Sequence, residues 1–163
     1  MKKAIETLPP LKLIGITART NNAREMDPAA ACIGAMMGRY FGGGLAHQIP
    51  GRITPDTTYC VYTHYESDVM GDYTYFIGEA VDAFDAVPEG LEMLEIPAQR
   101  YAHFTTEPGA MPGVVIGAWQ SIWSMSDEVL GGARAYVADM EIYGAGATDP
   151  QNSIVDVYIG IAA

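Results

Sequence analysis

Tyr75-Phe76-Ile77-Gly78 returns 82 residues later as Val157-Tyr158-Ile159-Gly160, and Val61-Tyr62 returns 81 residues later as Ile142-Tyr143. Matches this short gain weight because the elements around them come in the same order. Upstream of the first copy, Leu11 to Ala18 (LKLIGITA) is rich in branched residues and predicts a strand. Asp27-Pro28 then predicts a helix start, Asp27 as N-cap and Pro28 at the first helical position. Ile33, Met36, Met37, Tyr40 and Phe41 give that helix an apolar stripe, and Gly42-Gly43-Gly44 ends it. Thr57 to Tyr65 and Tyr73 to Val81 read as two strands around a Gly71 turn. The second half repeats the order. Gln99 to Thr105 is a strand, and Pro108 to Pro112 breaks the chain before a helix with Val115, Ile116, Trp119, Ile122 and Trp123 on its stripe. Gly131-Gly132 ends that helix, and Tyr136 to Tyr143 and Ser153 to Ile161 are strands. The reading is a tandem β-α-β-β repeat, at about residues 11–81 and 99–161 of one domain spanning 1–163. Residues 91–96 add a linking strand. The fold class is α+β, one antiparallel sheet with both helices on one face.

The chain has 163 residues, about half of them apolar (49%) and 18% charged, a composition that supports a folded chain. Its net charge of −11 repels phosphate backbones, so direct nucleic-acid binding is not expected. The imbalance is uneven. Residues 1–24 carry five basic side chains against Glu6, whereas the remainder has four arginines against 19 acids. That field favours cationic ligands or a basic protein partner over anions, and it also serves solubility. No apolar run reaches the roughly 18 residues of a membrane span, and the lysines of the N-terminus precede no continuous apolar segment. A cytoplasmic protein without membrane attachment is the expectation.

Metal and catalytic signals are weak. His47, His64 and His103 have no ligand spacing with Cys32 or Cys60, so neither a metal nor a cofactor is expected. Ser121, Ser124 and Ser126 have no adjacent base, and the glycine runs lack the lysine of a phosphate loop. Cys60, on a strand, reads as an inert buried thiol. In Val137 to Tyr143, period-two alternation places Ala138, Met140 and Ile142 on one face and Val137, Asp139, Glu141 and Tyr143 on the other. The first set suits the layer beneath the helices. The second leaves Glu141 facing either water or an aromatic enclosure. The first hairpin holds Tyr59, Tyr62, Tyr65, Tyr73 and Tyr75, and later strands hold Tyr101, Tyr143 and Tyr158. Tyrosine is an ordinary strand residue as well as a ligand-stacking one. Trp119 and Trp123, four apart on a helix, share a face that serves core or pocket.

Gly90 to Phe104, GLEMLEIPAQRYAHF, resembles the IPA-x-x-YA-x-F segment of the GyrI-like small-molecule-binding domain, also called the AraC-type effector-binding domain. Asp72 to Gly78 after Val61 to Glu66 resembles that family's first hairpin. Trp119 to Trp123 resembles its second helix, and Met140 to Tyr143 with Val155 to Ile159 its closing hairpin. The resemblance runs over roughly residues 10 to 162. It implies an SHS2-type tandem fold and a binder of hydrophobic, often cationic small molecules. It also implies a ligand-meeting acid in the Glu-x-Tyr strand, here Glu141. Tyr143, Trp119, Trp123, Tyr62, Tyr75 and Tyr101 are the accompanying ligand-binding candidates. The resemblance offers two alternatives. One is a hydrolase of strained, electrophilic cyclopropane-bearing compounds, with Glu141 activating water. The other is a protein-interaction module that modulates a topoisomerase. The helix-turn-helix fused to the domain in multidrug regulators has no counterpart here, so a stand-alone binding domain is expected.

Overall fold

Eight strands form a single antiparallel sheet in the computed structural model, which describes residues 1–162. In chain order they are β1 (Lys2–Leu8), β2 (Leu11–Thr20), β3 (Thr58–Thr63), β4 (Tyr73–Ala80), β5 (Glu92–Ile96), β6 (Gln99–Thr105), β7 (Arg134–Tyr143) and β8 (Asp156–Ile161). The helices are α1 (Asn22–Glu25), α2 (Ile33–Gly42), α3 (Gly113–Trp123) and α4 (Asp127–Leu130). None is long and apolar enough to cross a membrane.

Across the sheet the order is β1-β6-β8-β7-β3-β4-β2-β5. Units β2-α2-β3-β4 and β6-α3-β7-β8 therefore stand as mirror-ordered halves that meet where β3 pairs with β7. The strand at 91–96 does more than link them: β5 completes the edge of the first unit by pairing with β2. The second unit's edge is completed by β1, which pairs with β6. The sequence reading did not assign β1. Its signal was present, because Leu8-Pro9-Pro10-Leu11 matches Ile96-Pro97-Ala98-Gln99 at the same place in each unit.

One row of directly opposed residues fixes where the helices lie. Ile16, Ile77, Cys60, Glu141, Val157 and Phe104 are successive cross-strand partners, and such partners project from the same face. Ile16, Cys60 and Ile77 pack with Met36 and Tyr40 of α2. Val157 and Phe104 pack with Val115, Ala118, Trp119 and Ile122 of α3. Both helices thus cover one face, with Glu141 in the middle of the row.

This corrects the assignment of faces on β7. Glu141 and Asp139 face the helices, and Ala138 and Met140 face away, although Met140 is as fully buried as any core residue. The far face is dry because the sheet curls. β1 and β2 stand six strand spacings apart, about 29 Å if the sheet were flat, yet Pro9 and Pro10 alone connect them. Three Cα steps span at most about 11 Å. Pro97-Ala98 imposes the same closure on β5 and β6. Leu13, Val61, Phe76, Leu94, Ile96 and Tyr101 fill the resulting trough.

The start of α2 is a second correction. Asp27 accepts from the Ala29 amide in a local turn, and the helix begins at Ile33. Its capping acid is Glu25, whose Oε1 accepts the backbone N–H of Ile33 at 3.0 Å and of Cys32 at 3.2 Å.

Candidate functional site

Glu141 is 3% exposed, so its carboxylate must be satisfied by protein groups. Oε2 accepts the Tyr62 hydroxyl at 2.7 Å and the Trp119 indole N–H at 2.7 Å. Oε1 accepts the Tyr143 hydroxyl at 2.6 Å. All three partners donate, which matches the acceptor-only form of a carboxylate. Burial, reinforced by the Glu141 charge, pushes the Tyr62 and Tyr143 hydroxyls well above their ordinary range and keeps them donors. The Cys60 thiol, directly opposite Glu141, is likewise pushed up by burial and by the Glu141 and Glu79 charges, so it stays unreactive.

Above Glu141 opens a cavity of about 270 Å³ between the two helices. Ile33 and Met37 of α2 form one wall, and Val115, Ile116 and Trp119 of α3 form the other. Tyr62 is the hub of the aromatic lining. Its ring centroid lies 5.1 Å from Tyr75, 5.3 Å from Trp119 and 5.5 Å from Tyr73, within the range of favourable aromatic pairing. Trp123 lies 6.0 Å from Trp119 and is 57% exposed, so it flanks the mouth. Arg134 also lines the cavity, but Asp139 holds its Nη2 at 2.6 Å and neutralises it. Glu25 lines the cavity beside the start of α2. Hydrogen bonds from the Thr20 hydroxyl and the Cys32 and Ile33 amides outweigh partial burial and hold its carboxyl below the usual range.

A model of the family described as "Cass2: Integron-associated effector binding protein" matches residues 4–161. The chain belongs to this family. Its relatives include the YobU protein of Bacillus subtilis, 27% identical over 150 residues, 92% of this chain and 91% of YobU. Among solved structures, an integron cassette protein of Vibrio cholerae shares 25% identity at a TM-score of 0.74, over 98% of this chain and 95% of its own. SAV2435, in a structure bound to tetraphenylphosphonium, superposes with a TM-score of 0.79 over 100% of this chain and 95% of its own. At 16% identity, that likeness shows the shared fold. The Cass2-family chain is thus an effector-binding domain built on the GyrI-like fold, as the sequence resemblance implied.

The structure gathers six of the seven sequence-derived candidates around one cavity: Glu141, Tyr143, Trp119, Trp123, Tyr62 and Tyr75. Tyr101 is not among them. It pairs with Gly160 on the trough side of the sheet, where burial raises its hydroxyl to about 12. Its neighbours Ala102 and Phe104 are the residues of β6 that face the helices. Sequence reasoning missed Glu25, Tyr65, Tyr73 and Arg134 as lining groups. Tyr65 and Tyr73 were visible as hairpin aromatics. Nothing local marked Glu25, which reaches the wall only because the chain between α1 and α2 folds back on it. Glu79, a third buried acid after Glu141 and Asp139, lies beneath α2. Its Oε2 accepts the Tyr40 hydroxyl at 2.6 Å and the Thr58 hydroxyl at 2.8 Å, while Oε1 has no partner among the described residues. Burial raises its carboxyl above the ordinary range.

Proposed function

We propose that this domain captures hydrophobic aromatic cations, one per chain, without transforming them. The observation that carries the reading is Glu141, a carboxylate at the centre of the sheet whose nearest partners are two tyrosines and a tryptophan lining an apolar cavity. An unneutralised charge in such a setting is unfavourable, and a bound cation offsets it. Three donors already take three of the roughly four lone-pair positions of Glu141, so it offers charge more readily than further hydrogen bonds. Quaternary and charge-delocalised cations meet that condition, whereas a primary ammonium loses its hydration without full replacement. Each aromatic face adds about 0.5–2 kcal/mol of cation–π attraction. Hydrolysis fits less well, because only one lone pair, on Oε1, is left to take a proton from water. The family's effector-binding description supports the binding reading, and SAV2435 makes tetraphenylphosphonium the first probe.

The chain's two tryptophans both line the cavity, so intrinsic tryptophan fluorescence reports on this site alone. Titration with tetraphenylphosphonium is expected to change it saturably at a 1:1 ratio, and mass spectrometry to return the cation unchanged. Neutral triphenylphosphine oxide is expected to bind more weakly. Equal binding of the two compounds, or no response to either, would overturn the proposal.

A further inference from the structure

The cavity has acids on two sides. Glu141 rises from the sheet, and Glu25 sits in the wall at the start of α2. Tyr73, whose ring neighbours the Glu141-bound Tyr62, lines the same cavity. It is 3% exposed, and its hydroxyl is pushed up by burial and then by the charges of both Glu25 and Glu141. Its ring stands 5.5 Å from Tyr62 and 6.0 Å from Tyr65. The positive groups nearby do not cancel both acids. Arg134 is committed to Asp139, Arg24 is exposed and turns its Nε to the Ala30 carbonyl, and the N-terminus of α2 supplies only about half a charge towards Glu25.

We infer that the preferred ligand of this cavity is an aromatic dication, one cationic centre over Glu141 and a second beside Glu25. This rests on the cation-binding reading above and narrows it. Glu25 already accepts from the Thr20 hydroxyl, from the Cys32 and Ile33 amides and from the Cys32 thiol. Its lone pairs are taken but its charge is not, so the second centre is one that asks for no hydrogen bond, such as a quaternary ammonium. The ring system between the centres would lie along Tyr62 and Tyr73. Asn22 beside Glu25 also lines the cavity, and its Nδ2 holds the Val69 carbonyl at 2.9 Å. That bond ties the Glu25 wall to the β3–β4 turn and fixes the second position in space.

Ethidium and propidium make the matched pair, because they share one cationic ring system and propidium adds a quaternary ammonium on a flexible arm. Titrated into the parent protein at fixed ionic strength, propidium is expected to bind at least tenfold more tightly. Glu25→Gln is expected to remove most of that gap while leaving ethidium within about threefold. Asp85→Asn, which removes an exposed charge away from the cavity, is expected to keep the gap and thereby discount the general negative field. Should Glu25→Gln fail to fold, Met26→Lys places an ammonium beside Glu25 at a position 85% exposed, and it is expected to shrink the gap at least threefold. Equal affinity of the two dyes for the parent protein overturns the dication inference while leaving cation binding intact. A gap that survives Glu25→Gln, or Met26→Lys in its place, overturns the role of Glu25. Failure of both dyes to bind overturns the underlying reading instead.

Discussion

Replacing Glu141 by glutamine removes one charge from the floor of the cavity and almost nothing else. The amide oxygen can keep both the Tyr62 hydroxyl and the Trp119 N–H, since those two donors meet at one oxygen atom. Indole N–H can only donate, so it fixes which way the amide points. The amide nitrogen then faces Tyr143, whose hydroxyl can turn and accept. Folding stability is therefore expected to change by less than about 1 kcal/mol, weaker neutral hydrogen bonds being offset by a smaller desolvation penalty. Binding should respond strongly. A unit charge about 5 Å from the carboxylate, at an effective dielectric constant of about 20, gains about 3 kcal/mol. Measured values for charged contacts run from about 1.5 to 3 kcal/mol, so tetraphenylphosphonium is expected to bind the variant about 10- to 150-fold more weakly. Triphenylphosphine oxide should bind both proteins alike, because the aromatic walls are intact. Tryptophan fluorescence titrations with both compounds, alongside urea unfolding, measure all three quantities. Equal losses for the cation and the neutral compound would refute the electrostatic reasoning and make Glu141 a shaping residue. No loss for either would place binding elsewhere.

Three further outcomes follow from the same geometry. Glu25 has a lowered carboxyl pKa in the folded state, so its contribution is present above the ordinary carboxylate pKa and fades as pH falls through the folded value; Glu25→Gln should flatten the loss of urea stability between pH 7 and pH 3. Glu79 has the opposite sign: the fold holds its proton to higher pH than the unfolded chain does, so its contribution is lost as pH rises above the ordinary value, and Glu79→Gln should gain stability relative to the parent on going from pH 4 to pH 7. Gly15→Ala would drive a Cβ into the Ile77 carbonyl oxygen across the β2–β4 pair; a loss of about 2–3 kcal/mol is expected in chemical denaturation, and a loss below about 0.5 kcal/mol would mean the strands separate easily there.

The order of elements was legible because helices and strands leave different periods in a sequence, and because the chain writes its unit twice. The direction faced by β7 was not. Alternation correctly separated Ala138, Met140 and Ile142 from Asp139, Glu141 and Tyr143, but hydrophobicity could not say which set lay under the helices. Both faces of this sheet are covered, one by α2 and α3 and the other by its own curl. The more apolar set turned inward to the trough, and the acid turned to the helices. Tyr101 was misplaced for the same reason, since its neighbours Ala102 and Phe104, not Tyr101 itself, lie in the helix-facing layer. The cavity's aromatic and acidic core could be named from composition and from the family pattern. Glu25 could not, because its place depends on a turn at Asp27 that resembles a helix start in sequence.

The exchange of β1 and β5 between halves makes the molecule a swapped dimer written on one strand of polypeptide. Neither half owns its own border: each borrows the last strand of its sheet from the other through a two-residue hinge. Such an architecture ties assembly to partners distant in sequence, which slows folding and makes it cooperative across the whole chain. A fragment ending between β4 and β5 would leave β2 without its outer neighbour and β3 without its inner one, and exposed strand edges of that kind seek partners. Two copies of such a fragment could satisfy each other by the same exchange, so the continuous chain amounts to an intramolecular answer to an oligomerisation problem. The cavity inherits the arrangement: its floor lies at the seam between β3 and β7, where it forms only after both halves are in place.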